Sequence, residues 1–338
     1  METTEKNNIK NLTKILLAIG ISLATIFIIF KLTETELTWK VISALDKKFL
    51  AVALLFHIAF WAFWALRLQY LSLNLGKRIS FSYALQATIS SSFLAAITPS
   101  SAGGEPLRAK MLSDAGMSYG EATATVLAER LLDAIFFITA LPFMVILSGF
   151  KVRFGVYAGV IFTITFIGFL VLMYMIFKDQ ENIDKITSKI SFIFRFWKKD
   201  VGSRVYDVVK KELLFFRSAL IDLAKIPKLR ILVLLILTSL TWIFEFCVPS
   251  ALLLAMKSHP YWIESIASQL FLIILSLIPL TPGASGIAET GMLYFYSYFV
   301  NSAYMGTLVG LWRIITYHTN LVVGLLVNIK VFGYRYIQ

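Results

Sequence analysis

The chain has 338 residues, of which 58% are hydrophobic, 14% aromatic and 15% charged, and its mean hydropathy is +0.76. That is too apolar for a soluble domain and describes an all-α polytopic membrane protein. The net charge of +12 comes from Lys and Arg placed mainly between hydrophobic runs, where they set topology and meet anionic headgroups, so nucleic acid is excluded as the partner. The single cysteine, Cys247, has no partner for a disulfide, and the three histidines form no metal-binding spacing, so neither a metal nor another cofactor is expected.

Residues 12–30 form the first apolar run, long enough to cross a hydrocarbon core of about 30 Å and preceded by Lys6, Lys10 and Lys14. Phe30-Lys31-Leu32-Thr33-Glu34 follows instead of a small-x-small cleavage site, so the run reads as a retained leading span rather than a signal peptide. A second span, 49–73, is rich in Phe and Trp (Phe56, Phe60, Trp61, Phe63, Trp64), which reads as lipid-facing or packing surface. Arg67 lies near one end of it, where its stem can snorkel to the headgroups. Residues 81–97 are then interrupted from Thr98 to Gly104, and a short helix starts near Pro106, where proline is tolerated because the first helical amide has no intrahelical partner. Two short limbs around an irregular tip suit a re-entrant hairpin. Spans follow at 119–147 and 154–177.

The segment 178–229 is the long polar stretch, and with Arg230 it carries thirteen Lys or Arg. Ile183, Ile186, Ile190, Phe194 and Trp197 recur at helical spacing within it, as do Val205, Val209, Leu213, Phe216, Leu220 and Leu223, which predicts two amphipathic helices lying on the anionic cytoplasmic leaflet. The second half has a span at 231–256, a limb at 262–280, a break from Thr281 to Gly286, a limb at 287–300 and a last span at 303–329.

The two breaks resemble each other. An offset of 183 residues carries Thr98-Pro99 onto Thr281-Pro282, Gln86 onto Gln269, Gly103 onto Gly286 and Arg130 onto Arg313. We read repeats at 49–148 and 230–331 within a single transmembrane domain, inverted because the lone connecting span 154–177 starts the second from the opposite face. Six full spans plus two hairpins then place both termini in the cytoplasm, with 22 Lys/Arg inside and 7 outside, as the positive-inside rule requires. Gly/Pro-interrupted segments at matching places in two halves point to a midplane site built from broken helices.

The tips offer Gly103 and Gly104 ahead of Glu105 and Arg108, and Gly283, Ser285 and Gly286 ahead of Glu289. Free amides at a helix start favour an anion such as phosphate; the alternative is that Glu105 caps its helix and pairs with Arg108 three residues on. Arg130 and Arg313 each lie roughly 15 Å into their spans at 1.5 Å per residue, and intramembrane charge is a functional hypothesis by default. Glu129 and Asp133 share a helix face four residues apart and need a cation or a proton. They either partner Arg130 and Arg313 or titrate as an H⁺-coupling site. Glu245 is a further intramembrane carboxylate without an evident local partner, and His57 and His318 read as satisfied core histidines.

At Thr98 to Arg108, at Glu129-Arg130 and at Thr281-Pro282-Gly283 with Gly286 and Glu289, the sequence resembles the lysylphosphatidylglycerol synthase transmembrane-region family, flippase-like membrane proteins of the UPF0104 type. The resemblance implies lipid translocation. In two-domain members aminoacyl transfer belongs to a separate soluble domain, and no such domain is visible here, so an enzyme is not expected. The reading that follows is a cell-membrane transporter that moves lipids with phosphate headgroups, anionic, aminoacylated or polyprenyl-linked, through a midplane cavity, with homo-oligomerisation left open. The substrate-binding set is Thr98, Pro99, Gly103, Gly104, Glu105, Arg108, Arg130, Thr281, Pro282, Gly283, Gly286, Glu289 and Arg313. Glu129, Asp133 and Glu245 serve charge balance or coupling. A membrane-embedded lipid-modifying transferase and a small-solute or ion transporter are the alternatives.

Overall fold

The computed structural model describes residues 27, 36–98, 103–148, eleven positions from 164 to 188, 199–276, 281 and 283–333. All of the predicted leading span except residue 27, most of the connecting span and most of the first amphipathic helix lie outside these residues. So do Pro99 and Pro282. Among the described residues every regular element is helical.

Among the described residues, four helical segments are long and apolar enough to cross a membrane. The first is α2 (Lys47–Asn74), preceded by a short α1 (Glu36–Ser43). The second is α5 (Tyr119–Ser148). The third, Lys228–Ala255, is jointed: α7 (Lys228–Phe246) and α8 (Val248–Ala255) meet at Cys247, where Pro249 supplies no N–H to the ladder. The fourth, Ser302–Val331, contains α11 (Ser302–Arg313), a π-helical turn (Ile314–His318) and the start of α12 (Thr319–Gly333). At 28 or 30 residues each extends about 42–45 Å, enough to cross the apolar core with some tilt.

Between the spans lie two pairs of shorter helices. The first pair is α3 (Phe81–Ala96) and α4 (Gly104–Asp114), and the second is α9 (Trp262–Ser276) and α10 (Ile287–Tyr296). With 16, 11, 15 and 10 residues, none reaches the roughly 20 residues that a full crossing needs. Local capping fixes where they start. Ser80 accepts the Tyr83 N–H at 3.2 Å ahead of α3, and the Glu289 carboxylate accepts the Gly286 N–H at 2.7 Å at the start of α10.

The tips of the two pairs touch. The Gly283 N–H donates to Thr98 O at 3.2 Å, and the Tyr317 hydroxyl donates to Ala96 O at 3.2 Å. Gly283 has φ +56°, and a Cβ there would lie 2.5 Å from Ala96 O. Only glycine permits both the left-handed turn and that approach.

The main core packs α7 and α8 against α2 and α9, α8 against α11, and α10 against α9 and α11, through Phe246, Leu252, Leu270, Met292, Phe295 and Leu308. The amphipathic stripe from Val205 to Leu223 is carried by α6 (Lys199–Ala224). This helix docks on α5. Phe216 and Ala219 are buried with Ala124, the Gly120 N–H donates to Glu212 Oε2 at 2.6 Å, and a Cβ on Gly120 would collide with Glu212 O. This contact with a glycine-floored groove buries Phe216 of the stripe against protein. Val208, Phe215 and Ile221 stay exposed on another side of α6. Of the first amphipathic helix, Ile183 is fully buried and Asp184 pairs with Lys210 of α6 at 2.7 Å.

Candidate functional site

The centre of the molecule is an ion-pair cluster around α5. Glu129 and Asp133, one turn apart, are both buried, so each requires a cation. Arg67, from α2, reaches Asp133 Oδ1 at 2.5 Å and Glu129 Oε1 at 3.4 Å, and donates to Thr238 at 3.2 Å. It is 1% exposed, so it does not snorkel to the headgroups as its position near a span end suggested. Two carboxylates facing it across the α2–α5 interface hold it inward.

Arg108 is buried too. Its Nη1 donates to Glu129 Oε2 at 3.0 Å, and its Nε and Nη2 donate to Ser91 Oγ at 3.2 and 2.7 Å. The predicted pairing with Glu105 is not formed, because Glu129 offers Arg108 a desolvated partner one helix away. Glu105 does not cap α4 either; the Thr98 hydroxyl accepts the Gly103 N–H at 2.9 Å, while Thr98 donates to Leu94 O. At the second tip Thr281 donates to Ser285 O at 2.7 Å. Both threonines therefore shape the tips, and the Gly103, Gly283 and Gly286 amides already have protein acceptors, which removes them as a ready phosphate cradle.

The tryptophans complete the cluster. Trp64 donates to Glu129 Oε1 at 2.9 Å and Trp242 to Asp133 Oδ1 at 2.7 Å. The guanidinium groups of Arg108 and Arg130 lie 4.3 and 5.4 Å from the Trp64 ring centroid. Trp64 is thus part of the charged site and not merely packing surface. Its i, i+3 relation to Arg67 on α2 was the sequence signal for this.

Arg130 differs from its neighbours. Its side chain is 34% exposed; Nη2 lies 3.2 Å from Asp133 Oδ2 and Nε 3.9 Å from Glu105 Oε1. Among the described residues, its Nε and Nη2 complete no hydrogen bond. Three arginines here face three carboxylates, so the cluster is neutral as a whole, with Arg130 and Glu105 as its loosely held outer pair.

Arg313, its counterpart in the second half, is closed in. Its Nε donates to Glu289 Oε1 at 2.8 Å and its Nη2 to Ser285 Oγ at 3.2 Å. The guanidinium lies 3.9 Å from the Tyr317 ring centroid. Arg313 is therefore no partner of Glu129 or Asp133. The π turn that follows it orients Tyr317 toward both Arg313 and the first tip, a common use of such turns. Glu245 joins neither cluster; it pairs with His57 Nδ1 at 2.7 Å.

Beside the second tip an open apolar groove of about 600 Å³ is lined by Leu275, Gly286, Ile287, Thr290, Tyr294 and Phe295 among others.

These features define a multi-pass helical membrane protein whose two broken-helix hairpins meet between buried ion-pair clusters. The chain belongs to the family described as Lysylphosphatidylglycerol synthase TM region, which it matches over residues 15–324. It is 45% identical over 309 residues to a UPF0104 membrane protein of Archaeoglobus fulgidus, covering 91% of this chain and 94% of that one. A UPF0104 membrane protein of Methanothermobacter thermautotrophicus is 28% identical over 70% of each chain, and one of Pyrococcus horikoshii is 24% identical over 81% of this chain and 84% of that one.

Proposed function

We propose that the protein is a lipid translocator in the cell membrane, passing the phosphate headgroup of an anionic or aminoacylated phospholipid, or of a polyprenyl-linked lipid, between leaflets while the chains stay in the bilayer. The observation that carries this reading is Arg130, a guanidinium 34% exposed, about 17 Å into its span, and held only by an ion pair to Asp133 at 3.2 Å and a long one to Glu105 at 3.9 Å. A planar guanidinium suits a phosphate bidentately, and Glu105 is held loosely enough to be displaced. The groove beside the second tip supports the reading, since a headgroup path needs a lateral opening for the tails.

In this reading the chain has six full spans and two re-entrant hairpins in an inverted repeat, with both termini cytoplasmic, and the touching tips form the barrier that alternates. A transferase role is disfavoured because Glu129 and Asp133 accept from arginines and tryptophans, which leaves neither carboxylate ready for acid–base work.

The test is leaflet exchange of headgroup-labelled phosphatidylglycerol, lysyl-phosphatidylglycerol and a polyprenyl phosphate in proteoliposomes. The expected result is faster exchange of one of these classes than in empty liposomes, with the gain lost in Arg130→Ala. Exchange at the empty-liposome rate for all three, with or without a pH gradient, overturns the proposal.

A further inference from the structure

His57 and Glu245 stand apart from both arginine clusters, and their placement is expensive. The Asp46 N–H donates to Ala255 O at 2.8 Å, so the start of α2 and the end of α8 lie at one level. His57 and Glu245 are each ten residues from that level, about 15 Å deep at 1.5 Å per residue. His57 is fully buried, and the Glu245 side chain is 15% exposed. Phe60 and Trp61 lie against the imidazole, with ring centroids at 5.6 and 4.7 Å.

Among the described residues, no Lys or Arg pairs with Glu245; His57 Nδ1 is its ion-pair partner. The elements packed on α2 and α7, besides each other, are α3, α5, α8, α9 and the π turn, and the charged group of α9 is Glu264 in its first turn. Their charged and titratable groups are otherwise engaged or distant. On α5, Glu129, Arg130 and Asp133 belong to the central cluster. On the π turn, His318 Nδ1 contacts Arg313 O, Tyr317 donates to Ala96 O, and Arg313 just before it holds Glu289. On α7, Lys228 and Arg230 lie at the end away from Glu245. The titratable group of α3 is Tyr83, which donates to Met111 O, and α8 contains none.

An ionised Glu245 beside a neutral His57 leaves one uncompensated negative charge at depth, which is costly in a low dielectric. In that state Nδ1–H donates to the carboxylate, and Nε2 carries a lone pair. Nε2 is buried and has no hydrogen-bond partner among the described residues. One proton added at Nε2, or on the carboxylate, makes the pair neutral.

We propose that the His57–Glu245 pair is an intramembrane proton-binding site that takes up and releases one proton, making the chain's transport cycle H⁺-coupled. Of the carboxylates considered for coupling, Glu129 and Asp133 are neutralised by arginines, which leaves Glu245. The site lies where a change of charge can be felt. Trp242, one turn before Glu245 on α7, donates to Asp133 and packs on Phe60 at 6.0 Å. The same α2–α7 interface carries the Arg67–Thr238 hydrogen bond. The coupling half of the proposal rests on the transport reading; the proton site does not.

Nuclear magnetic resonance of ¹⁵N-histidine in the full chain, held in phosphatidylglycerol nanodiscs, reads the site directly, with His57 identified by the signal lost in His57→Gln. The expected result is one protonation transition of His57 that disappears in Glu245→Gln, while His259 and His318 keep their wild-type signals as evidence of an intact fold. A His57 signal that does not change with pH, or a transition unchanged in Glu245→Gln, overturns the site. In proteoliposomes, a pH gradient should accelerate wild-type leaflet exchange, and Glu245→Gln should lose that acceleration at least tenfold. An equal response in wild type and variant overturns the coupling. A titrating His57 in a protein that exchanges no lipid sustains the proton site and removes the transport reading together with the coupling.

Discussion

Arg130 and Arg313 occupy equivalent places in the two halves, yet the molecule treats them differently. Arg313 sits in a one-to-one pair, with Glu289 at 2.8 Å, Ser285 at 3.2 Å and Tyr317 over its face. In the first half the tight grip goes to Arg108 and Arg67, which come from other helices and use Glu129 and Asp133. Arg130 is left with Glu105 at 3.9 Å and, at 3.2 Å, the Asp133 oxygen that Arg67 does not use. Two carboxylates on one face of α5 recruit two extra cations, and these free the third. One half thus has a locked arginine and the other an available one, although the offset between the two sequence motifs is the same.

The largest effect should come from removing the cation that both carboxylates share. Arg67→Ala leaves Asp133 and Glu129 buried with only Arg130 and Arg108 to balance them. Breaking a buried pair costs about 3–5 kcal/mol, so the unfolding midpoint of the detergent-solubilised protein should fall steeply. Adding Asp133→Asn should recover part of that loss, because the stranded charge goes with it. Equal loss in single and double variants would mean that Arg67 contributes by packing alone.

Gly283→Ala tests the contact between the halves. The positive φ and the 2.5 Å approach to Ala96 O cannot both survive a methyl group, and strain of this kind costs about 1–3 kcal/mol. The Gly283–Thr98 hydrogen bond should be lost, which amide exchange at Gly283 would report as reduced protection. Trp64→Phe should cost less. It keeps a ring beside Arg108 and Arg130 but removes one hydrogen bond to a buried carboxylate, worth about 1.5–3 kcal/mol when the acceptor is charged, partly offset because Arg67 and Arg108 still hold Glu129. Comparing its midpoint with that of Trp64→Ala separates the N–H from the ring.

These partners explain what the sequence did and did not reveal. The spans at 49–73 and 119–147 match α2 (Lys47–Asn74) and α5 (Tyr119–Ser148) to within two residues, because a continuous apolar run is a local property. The tips were legible because Gly and Pro interrupt that run. Arg67 was misread because its partners lie 62 and 66 residues away, and a position near a span end looks the same whether the side chain turns outward or inward. His57 and Glu245 are 188 residues apart, so each alone appeared either satisfied or unpaired. The Glu105–Arg108 expectation failed for a related reason. Spacing along one helix identifies groups that can meet, but burial decides which carboxylate an arginine takes.

The smallest stability change and the most informative functional one should come from Arg130→Ala. With the side chain 34% exposed and its pairings long or shared, removal should lower stability by no more than about 1 kcal/mol, well short of Arg67→Ala. If Arg130 receives a phosphate, the variant loses a charge-assisted interaction worth about 1.5–3 kcal/mol, which corresponds to roughly a tenfold to hundredfold drop in leaflet exchange. Arg130→Lys keeps the charge but not the planar fork, so it should recover only part of the rate. Arg313→Lys, by contrast, should act mainly on stability, since its guanidinium holds Glu289 and Ser285 together. If Arg130→Ala and Arg313→Ala reduce exchange only in proportion to lost stability, the contrast between an available and a locked arginine has no functional meaning. If Arg130→Ala abolishes exchange in a protein that unfolds at nearly the wild-type midpoint, the asymmetry of the two halves is what exposes a headgroup-binding cation.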